Sequence, residues 1–110
     1  DSIKDACAVL DGRDKRLLNW ITDSGVSVIA SDNLAVEAVG KPLPEDHGGV
    51  ILPLHDHCLF KLGVHLGELW LLADLAKWLK ANGRSRFLLT APPLRLTGAV
   101  GSPVTPIATV

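Results

Sequence analysis

The 110-residue sequence contains no methionine and no tyrosine, and it has only two cysteines. Translation starts at methionine, so we expect this chain to be a processed or truncated piece of a longer protein. Cys7 and Cys58 lie far apart and form no C-x-x-C pair, which leaves a zinc knuckle unsupported. The two thiols allow one disulfide, although buried free cysteines are the more ordinary interpretation.

An excess of charge of one sign is also missing, because 11 basic and 12 acidic residues give a formal net charge of −1. A nucleic-acid-binding domain needs a basic surface that neutralises phosphates, so we expect no nucleic-acid partner. No apolar run reaches the roughly 20 residues of a membrane helix, so we expect no membrane span. With 47% hydrophobic residues and no visible signal peptide, the sequence predicts one small globular domain in the cytoplasm.

Helical and extended patterns alternate along the chain. Asp14 is placed to cap a helix that runs to about Ser24. The β-branched run VSVIAS (26–31) predicts a buried strand, and RFLLTA (86–91) predicts a second one. A helix over residues 73–82 precedes the latter. Strands interleaved with helices predict the α/β class.

Two segments around the first strand are less regular. Residues 40–53, which include His47, are rich in glycine and proline and predict a loop. Residues 33–39 either continue the first strand or form a second short one. Asp32 and Glu37 follow that strand, where loop carboxylates often serve sites, although capping of a turn is the more common explanation.

Metal-ligand side chains concentrate in PLHDHCLFKLGVHLGE, residues 53–68. A short helix is predicted from His55, with Leu59 and Leu62 on its inner side. Helix neighbours two positions apart point about 200° away from each other, so only one of His55 and His57 can face an inner site. His55 precedes Leu59 by four residues and is the one we select, whereas His57 is predicted to be solvated.

Glu68 is the strongest single candidate for a functional residue. On a brief strand over residues 64–68, Val64, Leu66 and Glu68 share a face, because side chains alternate along a strand. Two apolar members predict that this face points inward, where a carboxylate needs a cation, a metal or a proton. A structural salt bridge or a partly exposed strand end is the alternative. His65, on the opposite face, is predicted to be packed and hydrogen-bonded.

Three motifs resemble, in order, the C-terminal part of the cyclase family of metal-dependent hydrolases, which includes bacterial kynurenine formamidase and isatin hydrolase. They are PLH (53–55), GVHLGE (63–68) and APPLRLTGAVGSPVTPIA (91–108). The resemblance implies a swivelling β/β/α domain with a mixed sheet, of which residues 1–110 form the C-terminal part. The family's principal metal motif, H-x-G-T-H-x-D, is absent from these residues. We therefore expect the N-terminal half of the same protein to be a partner.

Carried over residue by residue, the resemblance places a metal-site histidine on His55 and a glutamate on Glu68. His55 is also the candidate catalytic residue, and residues 101–103 match a loop on the active-site side. The implied cofactor is a divalent metal, manganese or zinc.

The implied reaction is hydrolysis of an amide bond in a small molecule. The substrate would be an aryl formamide such as N-formylkynurenine, or a cyclic amide such as isatin. Members of the family tend to be oligomers, so a homo-oligomer is expected. The alternative is a non-catalytic binding or assembly module with the same fold.

Overall fold

The computed structural model describes residues 8–40 and 49–110. Cys7, His47 and most of the loop predicted over residues 40–53 lie outside these ranges. The chain divides into two compact units, residues 1–70 and residues 71–110. The candidate site residues of the sequence, His55 and Glu68, both belong to the first unit.

The described elements of the first unit alternate between helical and extended structure. They are helix α1 (Lys15–Ser24), strand β1 (Val28–Ala30), the short helix α2 (Pro53–His55), a π-helical segment (Asp56–Leu62) and strand β2 (His65–Gly67). Strands β1 and β2 pair in parallel, with Ile29 opposite Leu66. Their carboxyl ends therefore lie at the same edge of this small sheet. The segments that contain Glu37 and Glu68 both begin at that edge.

Helix α1 begins and ends where the sequence predicts. The Asp14 side chain accepts a hydrogen bond of 2.8 Å from the Arg16 backbone N–H and caps the first turn. The Arg16 guanidinium also binds this carboxylate and, with the cap, holds the pKa of Asp14 below its usual value. Gly25 ends the helix in the left-handed conformation, with φ at 68°, which glycine adopts without steric cost.

A small apolar core holds the first unit together. Its buried members are Ile21, Val36, Leu54, Cys58 and Val64. Burying one side chain of valine or leucine size stabilises a fold by about 1.5–3 kcal/mol. Leu54 and Cys58 lie four positions apart and supply the inner face of α2 and of the π-helical segment.

The prediction that Leu59 and Leu62 face inward is wrong. Their exposed fractions are 50% and 38%, whereas Leu54 and Cys58 are fully buried. The helical stretch is rotated by about one residue from the predicted orientation. Apolar side chains occupy both stripes, and packing against α1 and β2 selects the one that contains Leu54.

The second unit contains helix α3 (Ala73–Ala81) and strands β3 (Leu88–Thr90) and β4 (Ile107–Thr109). β3 and β4 pair antiparallel, with Leu89 opposite Ala108. The helix matches its predicted bounds to within one residue. No residue between 71 and 110 is fully buried, so this unit has no enclosed core of its own.

These elements form a small α/β structure with two short sheets, one parallel and one antiparallel. The strands predicted over 26–31 and 86–91 are shortened to three residues each. The prediction that they are buried is wrong, because neither contains a fully buried residue and 64% of Leu88 is exposed. Within the described ranges, residues 33–39 contribute a single bridge, between Leu10 and Glu37. The mixed sheet and the swivelling arrangement stay predictions. None of the described helices is long and apolar enough to cross a membrane.

Candidate functional site

His55 lies between two carboxylates. Its Nδ1 atom is 2.8 Å from Glu37 Oε1, and its Nε2 atom is 3.0 Å from Glu68 Oε1. His55 ends helix α2, Glu37 lies in the loop after β1, and Glu68 follows β2 directly. The parallel pairing of the two strands therefore brings both acids to the histidine. We call this arrangement the Glu37–His55–Glu68 row.

Glu37 is the buried member of the row, with 1% of its surface exposed. Its carboxylate accepts hydrogen bonds of 2.9 Å from the backbone N–H groups of Leu54 and His55. These bonds and the contact with the His55 ring compensate for the cost of removing a carboxylate from water. Gly12 packs directly against Glu37 Oε2, where a Cβ atom would collide with it.

The two acids border residues with unusual backbone conformations. Val36, just before Glu37, has φ at 59°, and Leu69, just after Glu68, has φ at 56°. This left-handed region is costly for non-glycine residues, especially β-branched ones. Both turns are held by Asn33: its Oδ1 accepts from the Val36 N–H at 2.6 Å, and its carbonyl accepts from the Leu69 N–H at 3.0 Å. A single buried asparagine thus fastens both acid-bearing turns.

Solvent reaches only one end of the row. The Glu37 side chain is fully buried, whereas 22% of the His55 side chain and 36% of the Glu68 side chain are exposed. The edge between Nε2 of His55 and Oε1 of Glu68 is therefore the part that an ion or a small molecule can approach.

This open edge can hold part of a divalent-metal site. A metal-bound histidine commonly donates its other ring N–H to a carboxylate, which is the relation between His55 and Glu37. Nε2 of His55 and Oε1 of Glu68 lie 3.0 Å apart, so the two atoms are close enough together to bind one ion. Among residues 8–40 and 49–110, no three or more His, Cys, Asp or Glu side chains converge in a way that could hold a metal ion. The described residues therefore provide two candidate metal ligands, His55 and Glu68, and not a complete set of ligands.

His55 and Glu68, the two site residues selected from the sequence, lie in contact in the structure. Their role as metal ligands stays a prediction. His57 points elsewhere, as the helical spacing predicts. It is nevertheless not simply solvated: its Nε2 atom is 3.0 Å from the Leu18 carbonyl and 3.0 Å from Thr22 Oγ1. His57 therefore attaches the π-helical segment to α1.

Other residues that were singled out in the sequence lie outside the Glu37–His55–Glu68 row. His65 is exposed, so the prediction of a packed histidine is wrong. Cys58 is a buried free thiol, and burial, together with the nearby Glu37 charge, raises its pKa. In the 101–103 loop, Ser102 Oγ donates a hydrogen bond of 2.9 Å to the Leu94 carbonyl.

Glu37 is the site residue that the sequence analysis undervalued, since a turn cap was the preferred explanation. The available signal was its position within the apolar stretch AVEAV, where a charged side chain is unexpected. Its hydrogen-bond donors lie 17 and 18 positions further along the chain, so only the folded structure identifies them.

No protein-family model matches this chain, and a search of curated proteins finds no match. Among solved structures, a crystal structure described as that of a novel cyclase is similar, with 41% sequence identity and a TM-score of 0.69. The similarity covers 84% of this chain, which spans 28% of the length of that protein. This likeness supports the cyclase family as the family of this chain.

Proposed function

We propose that this chain supplies two ligands, His55 and Glu68, to the divalent-metal site of a hydrolase that cleaves an amide bond in a small molecule. The observation that carries the proposal is the 3.0 Å contact between His55 Nε2 and Glu68 Oε1 at a solvent-open edge, with Glu37 behind the ring. The cyclase structure suggests a cyclase-like enzyme. The preference for an aryl formamide or a cyclic amide rests on the motif resemblance.

The side chains of the row have distinct tasks in this proposal. Manganese or zinc, when bound, supplies a Lewis acid and lowers the pKa of a coordinated water. Hydrolysis adds the water oxygen to the carbonyl carbon, breaks the C–N bond and leaves a proton on the departing nitrogen. His55 offers Nε2 at a fixed position, and the half-exposed Glu68 carboxylate has a second oxygen that can orient a donor group of water or substrate.

Two ligands are too few for a hydrolytic metal site, which usually has at least three protein ligands. The proposal therefore includes ligands from residues beyond this chain, of the H-x-G-T-H-x-D type that the cyclase family carries in its N-terminal half. The assembled protein is proposed to be an oligomer. A non-catalytic binding module is the competing function, and metal content together with turnover separates the two.

Reconstitution tests this proposal directly. The chain is co-expressed with a segment that carries the histidine motif, and metal content is measured along with hydrolysis of N-formylkynurenine and of isatin. We expect stoichiometric manganese or zinc and chelator-sensitive hydrolysis of one of the two amides. A complex that assembles without metal, or that holds metal and hydrolyses neither amide, would contradict the proposed function.

A further inference from the structure

We propose that Glu37 is a positioning residue: it keeps a hydrogen on Nδ1 of His55 and fixes the ring so that Nε2 is the nitrogen presented to Glu68. Its importance for metal binding rests on the proposed function, whereas the hydrogen on Nδ1 follows from the contacts of Glu37 alone. The inference adds a third residue to the site, one that touches neither the solvent-open edge nor a bound ligand.

The donors around Glu37 determine the direction of its hydrogen bonds. Oε2 receives the backbone N–H of Leu54, and Oε1 receives that of His55. Backbone amides can only donate, so both carboxylate oxygens act as acceptors. Oε1 also lies 2.8 Å from Nδ1, and an acceptor at that distance requires the hydrogen to be on Nδ1.

Glu37 binds the same residue twice, through its backbone and through its ring. The carboxylate therefore sets the angle of the imidazole relative to the backbone of helix α2, rather than restraining the ring alone. Gly12 leaves no free space beside Oε2, so the carboxylate cannot withdraw to that side. Rotation of the His55 ring would break the Nδ1 contact and leave a buried carboxylate oxygen without one of its hydrogen-bond donors, which is unfavourable.

Glu68 Oε1 is a second carboxylate acceptor, 3.0 Å from Nε2, and this contact is a hydrogen bond when Nε2 also carries a hydrogen. When the single hydrogen of the ring is on Nδ1, Nε2 and Oε1 are two electron-rich atoms 3.0 Å apart, and a positive centre beside them relieves their repulsion. A divalent cation is such a centre. The row is thus arranged with a hydrogen-bonding end, at Glu37, and a cation-binding end, at Glu68.

Long-range proton–nitrogen NMR spectra of the nitrogen-15-labelled chain distinguish the two tautomers of a histidine, and a His55→Gln spectrum assigns the signal. We expect a hydrogen on Nδ1 of His55 in the wild type and in Glu68→Gln, because Glu37 accepts it in both. Glu37→Gln places an amide NH2 group among three donors, so we expect a mixed or reversed tautomer. Asp32→Asn, which removes an exposed acid from the same loop, is the matched control and should leave the signal unchanged.

A wild-type His55 ring with hydrogen on Nε2 alone would overturn the proposal, as would loss of the Nδ1 hydrogen in Glu68→Gln or its full retention in folded Glu37→Gln. If Glu37→Gln does not fold, the wild-type and Glu68→Gln spectra decide the question. Manganese affinity of the same samples is the second readout, and we expect a roughly 10–100-fold loss in Glu37→Gln. Nδ1–H in a chain without metal affinity would uphold the positioning role and reject the proposed function.

Discussion

At the scale of single residues, the site depends on unequal burial of two glutamates that contact one imidazole. Glu37 is buried and accepts hydrogen bonds from two backbone N–H groups and the His55 ring. Glu68 is partly exposed, and the hydrogen bond described for its side chain is the one with the His55 ring. Identical side chains thus have different environments on the two sides of the His55 ring. Substitutions at Glu68 should change chemistry, and substitutions of the enclosed groups should change stability or orientation.

Glu68→Gln should reduce metal affinity by more than the roughly 10–100-fold that follows loss of a residue that only orients a ligand, and it should abolish metal-dependent turnover in the reconstituted protein. The amide keeps the shape of the side chain but loses the charge that a hard divalent cation prefers. The fold should persist, because the side chain is 36% exposed. Metal content, turnover and circular dichroism check this, with Asp32→Asn as a control. Unchanged metal content would return Glu68 to a structural role.

His55→Ala and His57→Ala should separate chemistry from stability. His55→Ala should remove turnover, because it deletes the Nε2 atom that is proposed to bind the metal. His57→Ala should leave most of the turnover and lower the free energy of unfolding by about 1 kcal/mol, because it loses the contact with the Leu18 carbonyl. Urea unfolding and turnover are measured on both variants. A larger loss of turnover from His57→Ala would show that the wrong histidine was assigned.

Cys58 should make stability fall with rising pH on the alkaline side. Its folded-state pKa is raised, so the unfolded chain releases the thiol proton first. Stability is therefore full below the ordinary thiol pKa of about 8.5 and declines from there up to the higher folded value. No tyrosine titrates in this window. Urea unfolding across it should show the decline in the wild type and a smaller one in Cys58→Ala.

At the scale of elements, the ends of the two parallel strands determine where the acids lie. Helix α1 could be predicted from the sequence because its cap and its terminal glycine are local signals, at Asp14 and Gly25. The inner face of the helical segment over residues 53–62 could not be predicted, because apolar residues line two of its sides. Packing against the rest of the first unit determines that Leu54 and Cys58 are the buried ones. The partners of Glu37 were beyond prediction for a related reason, since chain-distant amides supply its hydrogen bonds.

The strained turn after β2 can be tested without touching the row. Leu69 has φ at 56° and an exposed side chain, so Leu69→Gly should stabilise the protein by about 0.5–1 kcal/mol. Leu71, also exposed, has φ outside the left-handed region, so Leu71→Gly should destabilise by a similar amount. Urea unfolding compares the two. A loss of stability in Leu69→Gly would show that the turn is not strained in solution.

At the scale of the whole molecule, the chain spans 28% of the similar cyclase and presents two donors at one open edge. The α/β class and the meeting of His55 with Glu68 could be anticipated from the sequence. The short sheets could not, because the predicted runs do not show how many residues find a partner strand. A weak metal site in the chain alone, tightened by further ligands, is what this geometry leads us to expect.

Manganese relaxation in the nitrogen-15-labelled chain tests the central claim most directly, because paramagnetic broadening locates even a weakly bound ion. At substoichiometric Mn²⁺, we predict that amide signals near His55 and Glu68 broaden first, and that Glu68→Gln abolishes this selectivity. Broadening spread evenly over exposed carboxylates such as Asp23 and Asp74, and unchanged in Glu68→Gln, would contradict the claim that the Glu37–His55–Glu68 row contributes a metal site.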